Sequence, residues 1–321
     1  MEISRRTFCA AGAASLFLPY CSVSKTKSNE IALPKIVALG IIQDGGLPQI
    51  GCDCERCTAA RKDLSSPKYV SSLGIVTSAK KTYVIDATPD FKHQADILSR
   101  SAQRIGKNSR NPVDGVFLTH AHMGHYTGLM QLGFEAVSSD NIPVYCTQDM
   151  AHFIENNAPW DLLLRKNNIV LRPLMDGISI NLDREIDVRP VWVPHRQEYT
   201  DTVGFIISGS TNRVLYIPDI DRWEDWEHKI EEVLQEVTIA ILDGSFYSGD
   251  ELPGRDMTQI PHPTISTTME RLKGKFDPAV TKVYFTHFNH TNPVLNRDSA
   301  VRDTIRENGF YVLEQNQEIS L

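Results

Sequence analysis

Three histidines fall within six residues in Thr119-His120-Ala121-His122-Met123-Gly124-His125, directly after the strand-like run Val116-Phe117-Leu118, in a chain with ten histidines among 321 residues. Two apart in an extended loop, His120 and His122 can turn their rings towards one cation. His125, where Tyr126-Thr127-Gly128-Leu129 opens a helical pattern, can reach a neighbouring position. Neutral imidazole is a common ligand for zinc and iron, and a solvated loop is a poor alternative for so dense a cluster. A chain that makes such a cluster converge with other ligands needs a rigid scaffold with its loops at strand ends.

The rest of the sequence offers that scaffold. Short β-branched runs recur at Lys35–Leu39, Gly74–Val76, Tyr83–Ile85, Ile142–Cys146, Val188–Val193, Val203–Ile207, Val214–Ile217, Thr238–Leu242, Lys282–Phe285 and Phe310–Leu313. Helical patterns lie between them at Phe91–Arg104, Gly128–Ala136, Met150–Glu155, Asp161–Lys166, Trp223–Glu236 and Thr264–Lys273. This mixture predicts two packed sheets with helices outside, in one α/β domain. No internal repeat is visible. Asp86, His120, Asp219 and His287 each close a strand-like run, so the polar residues collect at strand ends.

The order of these motifs resembles the metallo-β-lactamase superfamily, whose signature is a strand, His-x-His-x-Asp-His, and a Gly-Leu helix start. Here Gly124 stands where the family has aspartate. Within the superfamily, Gln43-Asp44-Gly45-Gly46-Leu47-Pro48-Gln49, Pro194-His195-Arg196, Pro218-Asp219-Ile220-Asp221 and Asn289-His290-Thr291-Asn292-Pro293 resemble the pyrroloquinoline-quinone biosynthesis protein B family. The cysteine cluster and intact first histidines are more similar to the phosphodiesterase of the carbon-phosphorus lyase pathway. The resemblance implies an α/β (α+β) fold, a four-layer αββα sandwich, over residues 31–321. It implies a first metal held by His120, His122 and His195, a second by His125 and His287, and Asp219 shared between them. Gly124 deprives the second site of a carboxylate. Either water fills the gap, or only the first metal is held, or two histidines and one aspartate form an iron site. Zinc is the expected cation, one or two in the catalytic site, with iron or manganese as alternatives.

His262, in Ile260-Pro261-His262-Pro263, lies where the phosphodiesterase-like relatives carry a histidine that protonates the leaving group; the alternative is a histidine packed in a Pro-rich loop. Asp86 and Asp243 end strands near the site and either orient imidazoles or cap turns. Tyr199, Asp201 and Asp44 are candidates to line the pocket, and His93, His152 and His228 lie in helical stretches away from it.

Cys52-Asp53-Cys54-Glu55-Arg56-Cys57 offers three thiols, too close together to staple distant parts of a fold and one ligand short of a tetrahedral zinc site. His290, three residues after His287, is the fourth ligand that the resemblance to the phosphodiesterase implies for a structural zinc. A redox cluster or a disulfide is the alternative.

Residues 1–30 read as an export signal and spacer: Arg5-Arg6 precedes a short apolar run, Cys9 to Tyr20, as in a twin-arginine signal. The expected location is periplasmic, with any membrane contact through a lipid anchor at Cys21. The formal net charge is −7, and removing the four basic and two acidic residues of that segment leaves the remainder near −9. So acidic a body lacks the footprint of a nucleic-acid binder, and a small-molecule substrate is expected. Three functions follow: a metal-dependent hydrolase of a phosphodiester or related ester, an iron-dependent oxidase or hydroxylase similar to the quinone-biosynthesis protein, and a non-catalytic metal-stabilised binding protein. Loops 126–185 and 244–262 carry no recognition motif that names the substrate, and oligomeric state is not encoded legibly.

Overall fold

Alternation along each strand decides which side chains meet which layer. The computed structural model describes residues 34–104, 110–252 and 254–321, so the export signal and Cys21 lie outside the described residues. The first sheet takes β1 (Lys35–Gly40), β2 (Ser72–Val76), β3 (Thr82–Ile85), β4 (Gly115–Phe117), β5 (Ile142–Cys146) and β6 (Ile169–Pro173) in sequential order. The second takes β7 (Ile180–Asn181), β8 (Asp187–Trp192), β9 (Val203–Ser208), β10 (Arg213–Ile217), β11 (Ile239–Asp243), β12 (Lys282–Thr286) and β13 (Phe310–Val312). The last strand, β14 (Glu318–Ser320), returns to pair antiparallel with β1.

On β1, Ile36 and Ala38 enter the core between the sheets, while Val37 and Leu39 enter an outer core; on β4 and its extension, Phe117 faces inward and Val116 and Leu118 outward. Both faces are therefore apolar, as a sheet covered on both sides requires. The outer face of the first sheet packs against α2 (Phe91–Ser101), α4 (Gln148–Asn156) and α5 (Trp160–Arg165) through Phe91, Leu98, Met150, Ile154 and Leu163. The second sheet is covered by α6 (Ile230–Val233), α7 (Ile265–Leu272) and α8 (Ala300–Glu307) through Ile230, Ile265, Leu272 and Ile305. The result is the expected αββα sandwich. Two short helices, α1 (Glu55–Lys62) and α3 (Met123–Tyr126), sit beside the candidate site. No helix of the described residues is long and apolar enough to cross a membrane.

The sheets share one pairing plan. From β1 to β6 the neighbours run antiparallel twice and then parallel three times, and from β8 to β13 they do the same. This repeat is topological and has no counterpart in the sequence.

Some expected elements shrink. The pattern at Trp223–Glu236 becomes a helix only at Ile230, because Trp223 and Trp226 are buried and donate their indole N–H groups to Thr268 Oγ1 and Trp192 O, at 2.9 and 2.6 Å. The helix expected over Gly128–Ala136 is a 3-10 segment, Thr127–Leu132, continuing from α3. Strands β6, β7 and β14 and helices α1 and α8 were not predicted.

Phe117 links the sheets: its ring stacks on Tyr145 of β5 at 4.5 Å and meets Phe205 of β9 edge-on at 5.5 Å. Phe117→Ala should cost about 3–5 kcal/mol, measured as a lower urea midpoint with an unchanged slope.

Candidate metal centre

Strands β1 and β3 run the same way, as do β4 to β6, and β8 runs with β10 to β13. Their C-terminal ends therefore open on one side of each sheet, where α/β folds bind ligands. From those ends come Asp44 after β1, Asp86 after β3, His120 after β4, His195 after β8, Asp219 after β10, Asp243 on β11 and His287 after β12.

Here the sequence-predicted ligands converge. His122 Nδ1 lies 2.9 Å from His120 Nε2 and 3.2 Å from His195 Nε2. The two Nε2 atoms lie 3.6 and 3.5 Å from the oxygens of Asp219. A tetrahedral zinc with bonds of about 2.0–2.1 Å separates its ligand atoms by roughly 3.3 Å, so this quartet has the dimensions of a cation site. Beside it, Asp219 Oδ2 lies 3.4 Å from both His125 Nε2 and His287 Nε2. Both groups bring all their ligand atoms within 4.8 Å of one another.

Two properties of the donors fit a cation. Asp219 is 2% exposed, and its Oδ1 accepts no hydrogen bond, although His262 Nδ1 and His195 Nε2 approach it to 3.2 and 3.5 Å. An orphaned buried carboxylate oxygen is costly unless a cation completes it. Burial depresses the pKa of His120 well below the usual imidazole value, helped by the neighbouring His125, and leaves a lone pair to donate. Burial would raise the Asp219 carboxyl, but the facing imidazoles of His195, His287 and His262 hold it well below its ordinary range. Burial also works against protonation of His125, yet Asp86, Asp44 and Asp219 raise it well above its usual value. That negative field suits a bound cation.

The gap expected at Gly124 is not a void. Asp44 occupies it, with Oδ1 3.1 Å from His125 Nε2 and 3.4 Å from His287 Nε2.

Behind the ligands stands a ring of orienting groups. Asp86 accepts from His125 Nδ1 at 2.7 Å and from the Thr119 N–H at 2.8 Å. Thr119 Oγ1 lies 2.9 Å from His120 Nδ1, Asp221 Oδ1 2.6 Å from His195 Nδ1, Ser245 Oγ 2.9 Å from His287 Nδ1, and Glu198 Oε2 3.1 Å from His122 Nε2. Such partners fix tautomer and ring orientation. Only Asp86 and Asp243 of this ring were anticipated; the position of Asp221 two residues beyond Asp219 was the available cue for another. Asp86 and His287 both have left-handed backbones, φ 70° and 63°, a conformation that non-glycine residues rarely adopt outside sites that demand it.

Asp243 turns to His262, whose Nδ1 lies 2.8 Å from Asp243 Oδ2 and 3.2 Å from Asp219 Oδ1. Asp243, His262 and His287 also bring ligand atoms together, but Asp243 already accepts from the backbone N–H groups of Ile220 and Ser245. We therefore assign it to orientation. Two other candidates fall away. Asp201 accepts from Trp192 Nε1 at 2.8 Å and from Thr147 Oγ1, which gives it a structural task, and Tyr199 is 69% exposed against Phe153. His93 stacks on Tyr69, His152 lies against Gln148 and His228 against Trp226, all outside the clusters.

Cys52, Cys54, Cys57 and His290 form a separate cluster with their ligand atoms within 4.8 Å, and the four described cysteines are unpaired. Cys54 caps α1, accepting from the Cys57 N–H at 3.5 Å, a bond that lowers its thiol pKa, while burial pushes Cys57 up to about 11. His290 is buried with Nδ1 lacking a partner, and Arg56 donates to its backbone carbonyl.

The Beta-lactamase superfamily domain matches residues 81–288, from β3 through His287. The chain belongs to this superfamily. Its fold is that of the metal-dependent hydrolases. Among curated relatives, the chain is 29% identical over 309 residues to Coenzyme PQQ synthesis protein B of Ruegeria pomeroyi, covering 89% of this chain and all of that protein. It is 25% identical over 301 residues to the Methylorubrum extorquens protein of the same name, covering 86% and 96%. Zn(2+)-bound PqqB from Methylobacterium extorquens superposes with a TM-score of 0.74 at 21% identity, covering 89% of this chain and all of that one. A diphosphatase from the PhnP family superposes with a TM-score of 0.61 at 21% identity, covering 89% and 97%.

Asp86→Asn tests the orienting ring. Asparagine tolerates the left-handed backbone, but its single acceptor oxygen cannot serve both His125 and Thr119. Cation affinity at His125 should fall by roughly 10- to 100-fold, measured by competition with a chelating dye, with the fold intact by circular dichroism.

Proposed function

We propose that this superfamily member is a metal-dependent phosphodiesterase, acting on a phosphodiester or a related small anionic ester. His120, His122, His195 and Asp219 would hold one cation, and His125, His287 and Asp219 a second. Bound there, the cations would supply an activated water with a pKa near ~7 and positive charge opposite the attacked centre.

The observation that carries this reading is the position of His262. It lines a cleft with Gln43, Arg196, Arg255, Gln259 and Asn289, while its Nδ1 is engaged by Asp243. Burial alone would strip the imidazole of its proton, but Asp243, joined by Asp219 in the cation-free chain, outweighs burial and pushes it up to about 9; with Asp219 committed to cations, Asp243 is the partner that keeps it raised. At neutral pH His262 thus carries its proton, and the transferable one is on Nε2. An alkoxide leaves poorly without such a donor. Arg196 and Arg255 offer guanidinium forks of the kind that match phosphate oxygens. Asp219 holds the imidazoles in register, and the buried strand ends exclude water from behind them.

A second reading has its own support. Curated relatives that cover 89% and 86% of this chain carry the name Coenzyme PQQ synthesis protein B, which favours a role in quinone biosynthesis; in this second reading the same pocket would hold iron and act as an oxidase or hydroxylase. Protein purified without added metal separates the two. Zinc together with turnover of bis(p-nitrophenyl) phosphate supports hydrolysis. Iron with oxygen uptake and no turnover refutes it. We further propose that the chain is exported through its Arg5-Arg6 segment, which cell fractionation checks.

His262→Asn should lower kcat about 10²- to 10⁴-fold on an alkyl diester, yet leave a diester with a p-nitrophenolate leaving group nearly untouched. Wild-type activity on the alkyl diester should fall as pH rises through the pKa of His262, which Asp243 holds above the usual imidazole value, and the asparagine variant should lack that limb.

Cys52, Cys54, Cys57 and His290 would hold a structural zinc. Because thiols must lose protons to bind it and Cys57 is pushed up to about 11, zinc affinity at this cluster should rise with pH. Titration of the apo chain at pH 6 and pH 8 should show tighter uptake and proton release at the higher value; equal affinity at both would refute the assignment.

A further inference from the structure

The superfamily signature to which this sequence is similar has aspartate at the position of Gly124, so a second cation would lack a carboxylate of its own here. An ideal Cβ built on Gly124 would sit 2.3 Å from Asp44 Oδ1, 2.6 Å from Asp44 Cγ and 2.9 Å from Asp44 Cα. Real Cβ atoms do not approach so closely. The two shortest approaches are to the Asp44 carboxylate itself, and the third, to its Cα, is one that a shift of a few tenths of an ångström in the loop relieves once that carboxylate is gone. Asp44 and any side chain at position 124 therefore compete for one volume.

Asp44 is set up for that volume. Its Oδ1 lies 3.1 Å from His125 Nε2 and 3.4 Å from His287 Nε2, and with Asp219 these residues form one of the groups able to hold a cation. The turn that carries it is anchored beside His287. The Gln43 N–H donates to Phe288 O at 3.0 Å, the Phe288 N–H to Ile41 O at 2.8 Å, and the Gly46 N–H to Gln43 O at 2.9 Å.

We propose that Asp44 is the terminal carboxylate ligand of the second cation, supplied by the loop after β1 in place of the histidine motif, and that Gly124 is required to admit it. The site would then have His125, His287, shared Asp219 and Asp44 as its protein ligands, so no water need stand in for the carboxylate absent at position 124. The inference rests on the metal-centre reading above but not on any substrate.

The experiment counts cations and makes no use of turnover. Full-length apo chain and three variants, Asp44→Asn, Gly124→Asp and the exchange pair Asp44→Gly/Gly124→Asp, are titrated with Zn2+ by calorimetry, and bound metal is measured after gel filtration. Circular dichroism and retention of the first histidine-site cation establish folding. The wild type should take two cations at the histidine site. Asp44→Asn should weaken the second by more than the roughly 10- to 100-fold that loss of an outer partner costs, without altering the first. Gly124→Asp alone should bind the second poorly or fold poorly, because both carboxylates claim one space. The exchange pair should recover both folding and the second cation. The proposal is overturned if Asp44→Asn keeps wild-type second-site affinity, if the wild type saturates with one histidine-site cation, or if the folded exchange pair fails to regain the second. A chain that passes this test and hydrolyses no diester would sink the functional reading alone.

Discussion

Asp219 puts a carboxylate that is 2% exposed among the side chains of His120, His125, His195, His262 and His287, and the active end of the molecule is organised around it. Removing such a charge from water costs several kcal/mol, recovered only through well-placed partners. Each partner must therefore arrive on a rigid support. The C-terminal ends of strands that run the same way provide those supports, and the outer ring of Asp86, Thr119, Asp221, Ser245 and Asp243 fixes how each ring is turned. Even the left-handed backbones at Asp86 and His287 belong to this arrangement.

How much of this was legible depended on where the information lies along the chain. His120, His122 and His125 were readable because their grouping is local, and Asp219 and His287 because each closes an apolar run that ends a strand; His195 entered through the resemblance to the superfamily. Two packed sheets with helices outside followed from the same runs, and the four-layer αββα arrangement from the resemblance. Two of the missed strands are short, β7 with two residues and β14 with three, whereas β4 and β13, also of three residues, were found because Leu118 and Leu313 extend their apolar runs. The helix expected at Trp223 failed because two buried indoles pull that segment into turns to reach their acceptors.

Asp44 marks the limit more sharply. The sequence shows a carboxylate missing at position 124 and an aspartate eighty residues earlier, before Gly45-Gly46, with nothing to connect them. Their exchangeability is a matter of occupied volume, which appears only when β1 and the histidine loop are seen side by side. Asp221 and Ser245 were missed for a related reason: an orienting group is identified by the ring nitrogen it touches, and its residue type alone is commonplace.

The repeated pairing plan of the two sheets has a consequence for how the chain holds together. His120, His122 and His125 come from the first half, whereas His195, Asp219 and His287 come from the second. Neither half alone owns a complete coordination sphere. A cation at either position acts as a rivet through the seam, so the free energy of closing the sandwich and that of loading the metal form a single thermodynamic cycle, in which each tightens the other.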